Sequence, residues 1–339
     1  MQNNAPTRTM YRSHAGAVSG STSSFPWLRR NDGDAPVVIG ALLGGSAPRL
    51  QAIELRRISF PTLPKLLLST DDLTFLSLDE ITSAGYISPD ALATCLSMLK
   101  RLEFIGVIFL SLDSFPSLTN QSPPPRTRAV LPALTTFVFE GVSEYSEDLI
   151  ARIDTPLLSS FGLQFFYQPI FDIPQVPQFL RCVEKFKPPL TADIYFLDLA
   201  VVARFDSPGC DDVFLRFDCT GLARQLLLLE RIYAQCLPHT SHVNHLKLNR
   251  YNTSESGQQD FALWLEFLRP FNAVRILDVT NVELEADIAC VLGGLTAERA
   301  AEVLPMLCTV VLHEPEETEP LLRPFIDARK LSDQPVAVS

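Results

Sequence analysis

With 339 residues, a formal charge of −11 and a pI near 5.0, the chain lacks the concentrated basic face that a nucleic-acid backbone demands, so a neutral or basic protein is the expected partner. Apolar residues make up 47% and charged residues 20%, which excludes a mainly disordered chain. The apolar runs are too short and too interrupted to cross a bilayer. No basic-then-apolar leader is visible at the N-terminus, and the seven cysteines are scattered without Cys-x-x-Cys spacing. Both features predict an intracellular protein, cytoplasmic or nuclear, with reduced and mostly buried thiols.

Residues 1–35 are polar, with Phe25, Trp27 and Leu28 as the possible anchors, and predict a disordered or loosely packed arm. Residues 36–339 read as one domain, opened by a small apolar run from Val37 to Leu43 that shields its first face. From Leu50 onward an apolar triplet recurs, spaced Leu-x-x-Leu-x-Leu. Its clearest copy is Leu73, Leu76 and Leu78, and others are Leu50/Ile53/Leu55, Leu102/Ile105/Val107, Leu134/Phe137/Phe139, Leu158/Phe161/Leu163, Val243/Leu246/Leu248 and Val274/Leu277/Val279. A triplet that ends in strict alternation makes a short strand with one face inward. Ile194 with Phe196, Leu215 with Phe217, and Val310 with Leu312 supply three further strands of the same kind. The opposite phase around Asp193 is disfavoured because it buries a carboxylate.

Helical spacing fills the intervals. Pro61–Thr70 comes first, and Ser88-Pro89-Asp90 then provides an N-cap, a proline at the first helical position and an acid near the positive helix end. The stretch from Ser111 to Arg128, with Pro123-Pro124-Pro125, is an exposed excursion. Ser146 reads as the cap of a short helix, followed by helices at Val176–Phe186, Arg224–Leu237, Asp260–Phe271 with Trp264 in the core, and Leu284–Leu295. Thr318-Glu319-Pro320 opens a closing helix that runs to Lys330.

The strand anchors at 53, 76, 105, 137, 161, 194, 215, 246, 277 and 310 lie 21 to 33 residues apart, often beyond the roughly 20–29 of leucine-rich repeats. Each interval still holds one strand, one helix and two connections. The expected fold is therefore α/β: a leucine-rich-repeat solenoid, an irregular horseshoe of about ten strand–helix units with a parallel concave sheet, convex helices and a C-terminal capping helix.

The phrases Gly44-Gly-Ser-Ala-Pro-Arg-Leu50, Gly85-Tyr-Ile-Ser-Pro89, Leu131-Pro-Ala-Leu134, Ala151-Arg-Ile-Asp-Thr-Pro156, Val303-Leu-Pro305 and Ile326-Asp-Ala-Arg329 resemble the leucine-rich-repeat region of the F-box-like proteins of mushroom-forming fungi. The resemblance runs from about Leu43 to Val338. It implies target recognition for a ubiquitin ligase, in which an N-terminal F-box docks a Skp-type adaptor and the repeats hold the substrate. This sequence departs from the pattern ahead of Leu50, where no Leu-Pro-x-Glu-Leu/Ile segment is found. The chain by itself is accordingly expected not to bind a Skp-type adaptor.

No nucleophile elbow, P-loop or dinucleotide fingerprint is present, and a non-catalytic protein-interaction scaffold without cofactor or metal is the leading functional reading. The alternatives are a metalloprotein or hydrolase centred on Cys236, His239, His242 and His245, whose side chains suit zinc but whose spacing crosses Pro238, and an inert repeat-only paralogue. Alternation assigns the concave face to the residues beside the anchors: Glu54, Arg56, Phe75, Ser77, Asp79, Phe104, Ile108, Val138, Glu140, Ser160 and Gln164. Phe75, Phe104, Ile108 and Val138 form its apolar patch, a feature that marks interaction sites.

Overall fold

The computed structural model describes residues 47–116, 128–169, 171, 173–183, 185–207, 212–236, 240–251 and 261–339. The chain divides into units 1–35 and 36–339, and all described elements belong to the second. The arm over 1–35, the run 37–43 and the proline tract lie outside the described residues.

The described strands are β1 (Ala52–Arg56), β2 (Phe75–Ile81), β3 (Phe104–Phe109), β4 (Ala129–Val130), β5 (Thr136–Gly141), β6 (Ile153–Asp154) and β7 (Ser160–Phe165). They continue as β8 (Thr191–Phe196), β9 (Ala200–Asp206), β10 (Asp212–Asp218), β11 (His245–Arg250), β12 (Ile276–Val279), β13 (Thr309–Leu312) and β14 (Ala337–Val338). The described helices are α1 (Leu63–Leu67), α2 (Pro89–Leu96), α3 (Ser143–Arg152), α4 (Gln175–Cys182), α5 (Leu222–Cys236), α6 (Phe261–Leu268), α7 (Val282–Gly293), α8 (Ala297–Glu302) and α9 (Pro315–Leu331).

Twelve strands form one sheet in the order β1-β2-β3-β5-β7-β10-β9-β8-β11-β12-β13-β14, and β4 pairs with β6 separately. All ten anchors fall on strands of the long sheet and are buried, from Ile53 on β1 to Val310 on β13. They join one continuous core with inward residues of the helices, such as Leu92, Leu149, Phe179, Leu229, Trp264 and Ile288. Burying each such side chain contributes about 1.5–3 kcal/mol, so the alternation that made the strands legible is also what holds the sheet to its helical layer.

The middle of the sheet departs from the expected uniform parallel order. β8, β9 and β10 form an antiparallel meander set into the sheet back to front: β10 pairs parallel to β7, β9 pairs antiparallel to both neighbours, and β8 pairs parallel to β11. The strand of Leu215, rather than that of Ile194, therefore adjoins the strand of Phe161. β9 was not expected, because Val201 and Val202 break the alternation and the turn at Asp198-Leu199 contains no glycine or asparagine to announce a hairpin. The buried Gln225 on α5 fastens this turn, its amide nitrogen donating to the carbonyls of Leu197, Ala200 and Cys219 at 2.7, 3.1 and 3.1 Å. The phase of β8 is the expected one, with Ala192, Ile194 and Phe196 buried and Asp193 on the other face.

Helix ends follow local chemistry where a cap is available and tertiary contacts where it is not. Ser88 accepts from the Ala91 amide at the start of α2, and Asn281 from Leu284 at the start of α7. Ser146 is not a cap: α3 begins three residues earlier, and Ser146 is buried inside it with its hydroxyl on the Ser143 carbonyl. α4 follows Pro174 and takes its cap from the preceding helix, Glu147 accepting from the Gln175 and Val176 amides at 2.6 and 3.0 Å. Glu285 on α7 holds the segment entering α9, accepting from the amides of His313 and Glu314 at 2.7 and 3.2 Å. These carboxylates place negative charge near positive helix ends, and α9 starts at Pro315 rather than at Thr318. α8 was not expected, since a helix of six residues is too short to show a period.

Candidate functional site

The helical layer covers one face of the long sheet, and the alternate side chains form the other. Phe75, Phe104, Ile108 and Val138 are all partly exposed and none belongs to the core packed against the helices. Phe75 and Phe104 are register partners on β2 and β3 and stack with ring centroids 4.5 Å apart and planes 10° from parallel, a geometry worth about 0.5–1.5 kcal/mol beyond area burial. Glycine governs the next row. Val138 is paired with Gly106 on one side and Gly162 on the other, and each glycine is overlain by an aromatic ring. A Cβ at Gly106 would meet the Phe104 ring at 3.2 Å, and one at Gly162 would lie 2.3 Å from Phe214. Rings laid on bare backbone thus carry the apolar strip from Phe75 across Phe104 and Val138 to Phe214.

Phe214 was missed by sequence reasoning, and so were its neighbours Arg216 and Asp218. Its alternation with Leu215 and Phe217 was visible, but its place beside the patch depends on the reversed meander. Of the expected residues, Ser77 is buried, its hydroxyl 3.0 Å from Asp79 Oδ1. Glu54 and Arg56 are exposed at the sheet edge, where Arg56 pairs with Glu80 at 2.8 Å. Ser160 is partly exposed beside Thr136.

Beyond the strip, toward the C-terminal ends of the strands, lies an acidic row. Glu140 accepts from Gln164 Nε2 at 3.0 Å, and Arg216 Nε reaches Asp218 Oδ1 at 3.3 Å. Burial, then the charges of Asp218 and Asp79, push the Glu140 carboxyl up to about 7 against the partial relief of Arg216. Burial likewise raises Asp218. An acid whose pKa rises on folding ionises first in the unfolded chain, so stability falls as pH climbs from about 4.5 to about 7 and is flat above. Glu140→Gln is expected to remove Glu140's share of that slope and to raise the unfolding free energy at pH 8 by about 1–2 kcal/mol after allowance for solvent screening, with little gain at pH 4.5. Urea titrations at the two pH values check this; an equal change at both would show that Glu140 is not the source.

The side chains of Cys236 and His239 lie outside the described residues, His242 is exposed on a 3-10 turn, and His245 sits on β11 with Nε2 3.7 Å from Asp278. Among the described residues no group of three or more histidine, cysteine or acidic side chains is placed to hold a metal ion. The described cysteines are free thiols; Cys95 and Cys219 are buried, but Cys182 and Cys308 are exposed, against the expectation of mostly buried thiols. Among the described residues no helix is long and apolar enough to cross a membrane.

The fold and site define a mixed α/β protein with a long, mainly parallel sheet, one face of which carries no helix among the described residues. No family model and no curated protein matches the sequence. Among solved structures the chain is similar to the leucine-rich repeat-containing protein LegL7 from Legionella pneumophila, with 13% identity over 85% of this chain and 82% of that one and a TM-score of 0.30. At that score the likeness carries no argument about function.

Proposed function

We propose that this protein is a non-catalytic interaction scaffold of the leucine-rich-repeat type, built as an irregular solenoid, that holds a protein partner against the face of its sheet opposite the described helices. The apolar strip Phe75–Phe104–Val138–Phe214 carries the reading, because strand propensity is satisfied by alternation and gives no reason to lay aromatic rings over glycine on the open side. Target holding for a ubiquitin ligase is the biological role that the resemblance to fungal F-box-like proteins implies for such a face.

A selection from a displayed library of random 12-residue peptides tests the reading. Peptides that bind the native protein and lose at least tenfold in affinity on Phe104→Asp, with the melting transition retained, are the expected result. Failure to select any binder, or selected binders indifferent to Phe104→Asp, would overturn it.

A further inference from the structure

The face opposite the described helices also restricts the chemistry of what can lie on it. The strip ends beside carboxylates drawn from three strands: Asp79 on β2, Glu140 on β5 and Asp218 on β10. Arg216 is engaged by Asp218, and Arg56 by Glu80 at the sheet edge. Among the described residues neither Asp79 nor Glu140 forms an ion pair; their hydrogen bonds come from the neutral Ser77 and Gln164. The row is thus short of positive charge in a place already partly removed from water. Phe75 and Asp79 are four residues apart on one strand, a separation of about 13 Å at the usual rise per residue.

Resting on the proposed scaffold role, we infer that the partner is a basic peptide segment that sets an aromatic or aliphatic side chain against Phe75, Phe104 and Val138 and a lysine or arginine against Glu140 and its neighbouring carboxylates. Charge complementarity selects this occupant over a neutral or acidic one. An acidic segment would add like charge to a cluster that already repels itself, whereas a guanidinium or ammonium relieves that repulsion and meets carboxylates without a cationic partner. The 13 Å separation matches residues i and i+4 of an extended peptide, about 3.3 Å apiece.

The same library selection, read for sequence, decides the matter. Selected 12-residue peptides should be enriched in lysine or arginine, with an apolar residue four positions away. Their affinity should fall about tenfold between 50 and 300 mM salt and about tenfold again in the Glu140→Gln/Asp218→Asn double variant. A melting curve of that variant matching or exceeding the native one confirms that binding, not folding, was lost. Peptides that are sensitive to Phe104→Asp but carry no net positive charge, or that keep their affinity in the double variant, overturn this inference while leaving the scaffold role standing. A sedimentation experiment covers the remaining occupant: dimerisation of the native chain abolished by Phe104→Asp would assign the face to a second copy and overturn the inference as well.

Discussion

Ile105→Asp is expected to abolish the cooperative melt, whereas Phe104→Asp, one residue away, leaves it in place with a loss of about 1–2 kcal/mol. Ile105 is fully buried on β3, between its register partners Leu76 and Phe137. A carboxylate there has no hydrogen-bond donor from the surrounding apolar side chains, and burying it costs several kcal/mol, about 5 or more if the strand cannot rotate it outward. Rotation is blocked because a shift of register by one residue would expose every inward side chain of β3 at once. Phe104 points the other way. Its removal forfeits the stack on Phe75 and part of the cover over Gly106, and the new carboxylate reaches water. Thermal melts followed by circular dichroism separate the two cases. Equal destabilisation would mean that the two faces of the sheet are not as described.

Gly293→Ala is the second large effect, about 2–4 kcal/mol of destabilisation, and its sign decides between two opposed forces. By helix propensity alone alanine should be preferred to glycine at the end of α7, by up to about 1 kcal/mol. Here a Cβ would lie 2.1 Å from the carbonyl oxygen of Leu321 in α9, more than an ångström inside ordinary contact. The obstructing atom is backbone, so no rotamer change relieves it and the two helices must move apart. Glu285 on the same helix binds the segment entering α9, which ties the pair at a second point and limits that movement. A urea midpoint lower than that of the native chain is the expected reading; a higher one would show that α7 and α9 part without penalty.

These two sites also mark where sequence reasoning succeeded and where it stopped. The ten anchors were legible because burial of one sheet face imposes a period of two, and the same period put Phe75, Phe104 and Val138 on the opposite side. Ser88 shows that a cap with a local acceptor can be read within a few residues of its helix, whereas the equally local cap Asn281 was not singled out. Gly293 could not be read in this way, since nothing near it in sequence announces that α9 crosses there.

What the sequence by itself determined, then, is the ten anchored strands, most of the helices between them and the inward face of each anchored strand, because these follow from local periodicity and the cost of burying charge. Only the tertiary structure decided which strands are neighbours: the meander β8–β9–β10 entered the sheet in reverse, placing Phe214 over Gly162 and Asp218 near Glu140. Strand adjacency depends on which edges pair most favourably across the whole sheet, and on ties such as Gln225 to a distant turn. No pattern within a single strand encodes either. The acidic end of the apolar strip is a product of that long-range choice, drawn from three strands that are far apart in the chain.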